Sequence, residues 1–175
     1  MSVLDRSPVN TNLLQPSKYL VAIDRIPTTK YFCQTAIIPS VSIGTAEYST
    51  PFLDMTTPGT KMSYSPFEMK FLVDADLKGW REIYDWLLAL TAPSGFEERV
   101  SMTPANTRRG IGLLNYSDFT LTVLNALNNP IYRVQFINAF PTSLSEIEFD
   151  TSASADDVLT ATVSFTYQSF EILDI

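Results

Sequence analysis

Residues 67–88, FEMKFLVDADLKGWREIYDWLL, carry two hydrophobic periods back to back. Phe67, Met69, Phe71 and Val73 alternate with Glu68, Lys70 and Leu72, the two-residue period of a strand with one face against a core. From Leu77 the period lengthens. Leu77, Trp80, Ile83, Tyr84, Leu87 and Leu88 recur at 3.6-residue spacing, with Lys78, Arg81, Glu82 and Asp85 opposite, which predicts a helix over about 77–91. Asp74 or Asp76 can cap its N-terminus, Arg81 and Asp85 lie one turn apart, and Pro93 with Gly95 stops it. The stripe Trp80, Ile83, Tyr84, Leu87 and Leu88 must therefore pack on a sheet.

Working outward, the rest of the chain reads as strands. Tyr19–Ile23 and Tyr31–Ala36 are β-branched and aromatic, separated by Asp24–Pro27, and predict a hairpin. Val41, Ile43 and Thr45 alternate with small residues before the chain runs through Phe52, Leu53, Asp54 and Met55 to a turn expected at Pro58–Gly59, returning as Lys61–Tyr64. This excursion, about 41–66, is too long for a tight hairpin, and its apolar residues either meet a partner or fold back on the sheet. Phe119, Leu121 and Val123 pair by pattern with Tyr132, Val134 and Phe136 across an Asn128-Asn129-Pro130 turn. Pro141 breaks that run, Leu144–Phe149 alternates again, and Leu159–Gln168 alternates for ten residues as the last strand. The count is seven or eight antiparallel strands and one helix, in a single domain over 17–175 after a polar, proline-bearing arm at 1–16. One face of several strands is polar: Thr120, Thr122, Arg133, Gln135, Thr160, Thr162, Ser164 and Thr166. Solvent exposure of threonine-rich strands accounts for it on pattern alone.

Composition removes much chemistry. The 175 residues contain no histidine and one cysteine, Cys33, which excludes Ser/His and Cys/His catalysis, zinc fingers and an internal disulfide. Cys33 reads as a small buried hydrophobe and not as a reactive thiol. A net charge of −7 offers no basic footprint for tight phosphate binding. No catalytic residue, cofactor or metal is expected: Asp74 and Asp76 are explained by capping, and Glu146, Glu148, Asp156 and Asp157 by surface solvation. Arg108-Arg109-Gly110 lies in a long polar stretch, 93–116, read as a surface loop, and no phosphate-binding glycine pattern follows a strand. The N-terminus lacks a signal-peptide pattern and no run is long enough to span a bilayer, so a soluble protein made in a reducing cytoplasm, without membrane insertion, is expected.

The order of these signals, Tyr31-x-Cys33-x5-Pro39, the long hairpin, Trp80-x5-Trp86-Leu87, and Phe140-Pro141-Thr142-x5-Glu148-Phe149-Asp150 before an alternating strand, resembles the tail tube proteins of contractile-tailed bacteriophages. The resemblance spans roughly Gln15 to Ile172. It implies a mainly β protomer, an antiparallel β-sandwich or barrel-like fold with one flanking helix, forming homo-hexameric rings that stack into a hollow tube for DNA passage. Tail sheath and baseplate or neck proteins would be the other partners, in a virion tail assembled in the host cytoplasm. Phe52, Leu53, Asp54, Met55, Met62 and Tyr64 would then sit on the hairpin that stacks ring on ring. The polar set from Thr120 to Thr166 would line the channel, wettable and without basic rows to retain a polyanion. The principal alternative is a tube-end protein of the same fold, an initiator at the baseplate or a terminator at the head-proximal end, which makes one ring where a tube subunit makes rods. A ligand-binding barrel or a carboxylate enzyme is the remaining alternative.

Overall fold

The computed structural model describes residues 13–23, 25–91, 116–152, 154 and 157–175, with the side chain of Tyr31 excepted. The elements are β1 (Tyr19–Ile23), α1 (Thr29–Phe32), β2 (Cys33–Ala36), β3 (Val41–Ser49), β4 (Asp54–Tyr64), β5 (Phe67–Leu72), α2 (Lys78–Thr91), β6 (Ser117–Leu124), β7 (Pro130–Leu144), β8 (Thr160–Thr166) and β9 (Ser169–Asp174). All strand pairs are antiparallel. The protein is an open β-sandwich, with α2 the one substantial helix among the described residues.

Two sheets share a bent strand. The first half of β7 pairs with β6 and β9, and β1 extends that sheet beyond β6; we call this sheet A. The second half of β7 pairs with β8, followed by β5 and β2, forming sheet B. The bend falls at Asn138, whose φ of 53° is left-handed, a conformation that asparagine tolerates better than most residues. Its side-chain amide donates to Gln168 Oε1 at 2.7 Å, while Gln168 N–H donates to Ile137 O at 3.0 Å. Gln168 is itself the corner where the chain leaves β8 in sheet B and enters β9 in sheet A. One contact thus pins both crossings between the sheets.

The core lies where the inner faces meet. Phe67 of β5 reaches across to Phe119 of β6 at 4.8 Å and Phe136 of β7 at 5.0 Å, and Phe119 stacks on Phe136 at 4.4 Å. Phe67, Phe136, Val163 and Phe165 are fully buried. Burying each such side chain contributes about 1.5–3 kcal/mol, so this aromatic cluster is the main adhesive between the sheets. α2 closes the side of the sandwich. Its buried seam is Gly79, Ile83, Trp86 and Ala89, with Trp86 6.0 Å from Phe165, while Trp80 and Leu87 pack at the edges of the core. Leu88 is half-buried, and Tyr84 stays 43% exposed with its ring stacked on Trp80 at 5.3 Å. Asp74 is the cap: its carboxylate accepts from Lys78 N–H at 3.0 Å and Gly79 N–H at 3.1 Å.

Several expectations are corrected. β1 and β2 are not a hairpin, because β1 pairs with β6 and β2 with β5 on different sheets; Thr29–Phe32 between them turns as a helix, so the second strand starts at Cys33 and not at Tyr31. Pro141 does not break its strand. It sits within β7 at a register shift, in the half that pairs only with β8, where a missing N–H costs no ladder bond. Residues 145–149 are not strand. The last expected strand, Leu159–Gln168, is β8; a further strand, β9, follows the corner at Gln168, where the inward phase changes from odd residues to even ones, and the alternation did not show it. The arm before Leu13 and the segment 92–115, including Arg108 and Arg109, lie outside the described residues.

Candidate assembly surfaces

β3 and β4 form a two-stranded sheet of their own, and every residue in them except Gly59 is exposed. The turn at the tip is Thr50–Leu53, not Pro58–Gly59. Thr50 N–H donates to Leu53 O at 3.0 Å and Leu53 N–H to Thr50 Oγ1 at 3.1 Å, which leaves Phe52 98% exposed at the tip. Pro58 and Gly59 lie inside β4, beside a register shift between Ile43 and Thr45. Glycine is needed there for close approach: a Cβ at Gly59 would stand 2.5 Å from Gly44 O.

The pairing assigns the hairpin faces. Val41 opposite Tyr64 and Ile43 opposite Met62 make one side of the base apolar, while Ser42 opposite Ser63 makes the other side polar. Nearer the tip, Tyr48 faces Met55 on one side and Ser49 faces Asp54 on the other. The base is tied to the sandwich by Tyr64, whose ring lies 5.5 Å from Phe170 and 6.0 Å from Tyr167, and by Tyr167 Oη–H, which donates to Ser65 O at 2.8 Å. Burial at this joint pushes the Tyr167 hydroxyl up to about 12, with a further contribution from Tyr64. Of the residues expected on a stacking hairpin, Phe52, Leu53, Asp54, Met55, Met62 and Tyr64, all stand on this element. Tyr64 alone also anchors it, a double role that the alternation did not reveal. Phe170, hidden from the pattern because β9 went unseen, is the residue that Tyr64 needs.

The polar residues expected on one wall are divided between two. Cross-strand rows Ala22–Thr120–Gln135–Glu171 and Leu20–Thr122–Arg133–Leu173 form the outer face of sheet A. Thr160, Thr162 and Ser164 belong instead to the outer face of sheet B, beside Leu72, Lys70 and Glu68, with Thr166 at the end of β8 opposite Phe140. Because the inner faces meet at Phe67 and Phe119, these two outer faces look away from each other. Neither is strongly acidic: each mixes one sign with the other, Arg133 with Glu171 and Lys70 with Glu68. Exposed acids gather elsewhere, at Glu146, Glu148, Asp150 and Asp157 in the connection from β7 to β8. Hydrogen bonds from Ser152 hold the Asp150 carboxyl below its usual range. Among the described residues no group of three or more acids and thiols could hold a metal ion, and no helix is long and apolar enough to cross a membrane. Cys33 is half-buried, and burial pushes its thiol up, away from the reactive thiolate.

An exposed hairpin mounted on a two-sheet sandwich with one side helix is the arrangement expected of a tube-forming protomer. The family model for phage tail tube protein matches residues 14–173. The chain belongs to the phage tail tube protein family. It is accordingly a structural protein of a phage tail and not an enzyme. It is 26% identical over 168 residues to the tail tube terminator protein of Enterobacteria phage T4, covering 92% of this chain and 89% of that one. Solved structures that share the fold include the tube-terminating cap of the anti-feeding prophage, with a TM-score of 0.62, 14% identity and full coverage of both chains, and the sheath-tube complex of the extracellular contractile injection system PVC, with a TM-score of 0.58, 16% identity and 93% of each chain covered.

Proposed function

We propose that this tail tube family member is the terminator of a contractile tail, a ring of six identical copies that docks on the last ring of the tube and stops its growth. The observation that carries assembly is the hairpin β3–β4, which presents Val41, Ile43, Met55, Met62 and Phe52 to solvent with nothing among the described residues to cover them. The choice of tube end over tube body rests on the resemblance to the T4 terminator along nearly the whole of both chains. In this reading the hairpin is the contact with the adjacent tube ring. The outer face of sheet A, with Thr120, Thr122 and Gln135, lines the channel through which DNA passes, its hydroxyls and amide wet and its single Arg133 placed diagonally from Glu171. Sheath and neck proteins meet the outer side, where α2 lies.

Imaging of the purified protein tests this. A terminator gives single rings at any concentration, and added to growing tubes it ends them at a fixed length. Rods of unlimited length would instead favour the tube-body reading, which the likeness to the PVC sheath-tube complex keeps open. Monomers alone, unable to cap tubes, would overturn both.

A further inference from the structure

Charge on the outer face of sheet A is sorted along the strands. Arg133 stands in the row Leu20–Thr122–Arg133–Leu173, and the next row toward the Gln168 corner, Ala22–Thr120–Gln135–Glu171, carries an acid. Asp118, exposed at that same corner end, accepts from Asn138 N–H at 2.9 Å. At the opposite end Lys18 leads into β1 and donates to Asn128 Oδ1 at 2.7 Å in the β6–β7 turn. Asp174 also lies at that end but belongs to the other face, in the row Tyr19–Val123–Tyr132–Asp174. The outer face thus runs from acid at the corner to base at the turn. The hairpin β3–β4 springs from the corner end, where Tyr64 meets Phe170 and Tyr167.

Arg133 is exposed and makes no ion pair or hydrogen bond among the described residues, although Glu171 is its diagonal neighbour. Beside it on the wall, Thr122 and Gln135 add a hydroxyl and an amide, both able to donate. A free guanidinium flanked by neutral donors suits the anionic oxygens of a phosphate. We propose that in the ring the Arg133 side chains form a belt that binds the backbone phosphates of an entering DNA duplex, while Glu171 and Asp118 repel its further advance. This deepens the terminator reading and rests on it. In that reading the hairpin end faces the tube, so the basic end faces the side from which DNA arrives. A belt at one height holds an end without coating the channel, whereas a wall basic throughout would retain the whole molecule by counterion release. The chain's net charge of −7 keeps the outside of the ring from competing for the same duplex.

Binding of a fluorescent, blunt-ended DNA duplex to purified rings, followed by anisotropy across a salt series, tests the belt. Wild-type rings should bind with a slope of log K against log salt of about −5, as six neutralised phosphates require. Arg133→Gln should leave the rings intact, weaken binding by about tenfold or more and bring the slope close to zero, because the phosphates then keep their counterions. Arg133→Lys should retain most of the slope, and Glu171→Gln should tighten binding. A covalently closed circular duplex, which has no end to enter a ring, should not compete. Sedimentation and circular dichroism establish that each variant still makes folded rings. No binding by wild-type rings at low salt, equal binding by Arg133→Gln rings, or full competition by the closed circle would overturn the belt while the ring reading stands. Displacement of the duplex by polyglutamate as readily as by more duplex would overturn DNA as the ligand and assign the belt to an acidic protein. A wild-type chain that never leaves the monomer and caps no tube would remove the ring reading itself.

Discussion

β5 and the β3–β4 hairpin both carry large apolar side chains, yet their fates are opposite. Phe67, Met69 and Phe71 are buried beneath the other sheet, whereas Met55 and Met62 stand in solvent on a hairpin that touches the sandwich only at its base. The same kind of side chain thus serves two purposes. In β5 it holds the monomer together; in β3–β4 it stores apolar surface for another molecule. The difference lies in what stands opposite, since a hydrophobic side chain contributes stability only in proportion to the area that something removes from water.

The comparison breaks most sharply at Phe67. Phe67→Ala should destabilise the monomer by about 3–5 kcal/mol, because the cavity opens where both sheets meet; urea denaturation measures it. Next in size is Asp74→Ala, which removes both bonds to the first turn of α2 and should cost about 1 kcal/mol in the same assay. Alkaline pH gives a smaller, graded loss. Burial pushes the hydroxyls of Tyr19 and Tyr167 up to about 12 from 10.0, so the folded state holds those protons more tightly than the unfolded chain. Their contribution to stability is complete below pH 10 and is lost as pH rises through 12; Tyr167→Phe should flatten that decline in the denaturation midpoint. Smallest of all for the monomer is Phe52→Asp with Leu53→Asp, which should leave its melting curve in place because the tip packs on none of the described residues. Capping of tubes by that double variant should disappear, and unchanged capping would mean that the tip is not the contact. Gly59→Val belongs between the extremes, sparing the core while distorting the hairpin against Gly44.

Much of this was legible in the chain. The strand-to-helix passage at 67–88, the Asn128–Pro130 hairpin and the exposed excursion after Val41 all rest on patterns within a few residues of each other. The failures share one cause. Tyr19–Ile23 and Cys33–Ala36 look like partners because they are close in sequence, but each finds a better partner far along the chain. Pro58-Gly59 has turn composition, yet the turn is made by Thr50 and Leu53, and Gly59 serves a crossing of backbones. The inward phase slips from Phe165 and Tyr167 to Phe170 and Ile172 across the Gln168 corner, so the alternation that ends at Gln168 does not reveal β9 beyond it. The division of the polar set between two outer faces was hidden for the same reason: period says which residues share a strand face, not which strands share a sheet.

By itself the sequence determined that the protein is mainly β with one amphipathic helix, that it lacks histidine and disulfide chemistry, and that a long segment after Val41 carries apolar residues that either meet a partner or fold back on the sheet. These follow from composition and short-range periodicity, which backbone geometry translates directly into faces. Only the tertiary structure decided that β7 and the β8–β9 passage bend between two sheets at the Asn138–Gln168 contact and that Thr120 and Thr162 look in opposite directions. Those are relations between distant segments. They are set by the joint closure of both sheets over Phe67, Phe119, Phe136 and Phe165, a condition that no single stretch of the chain contains.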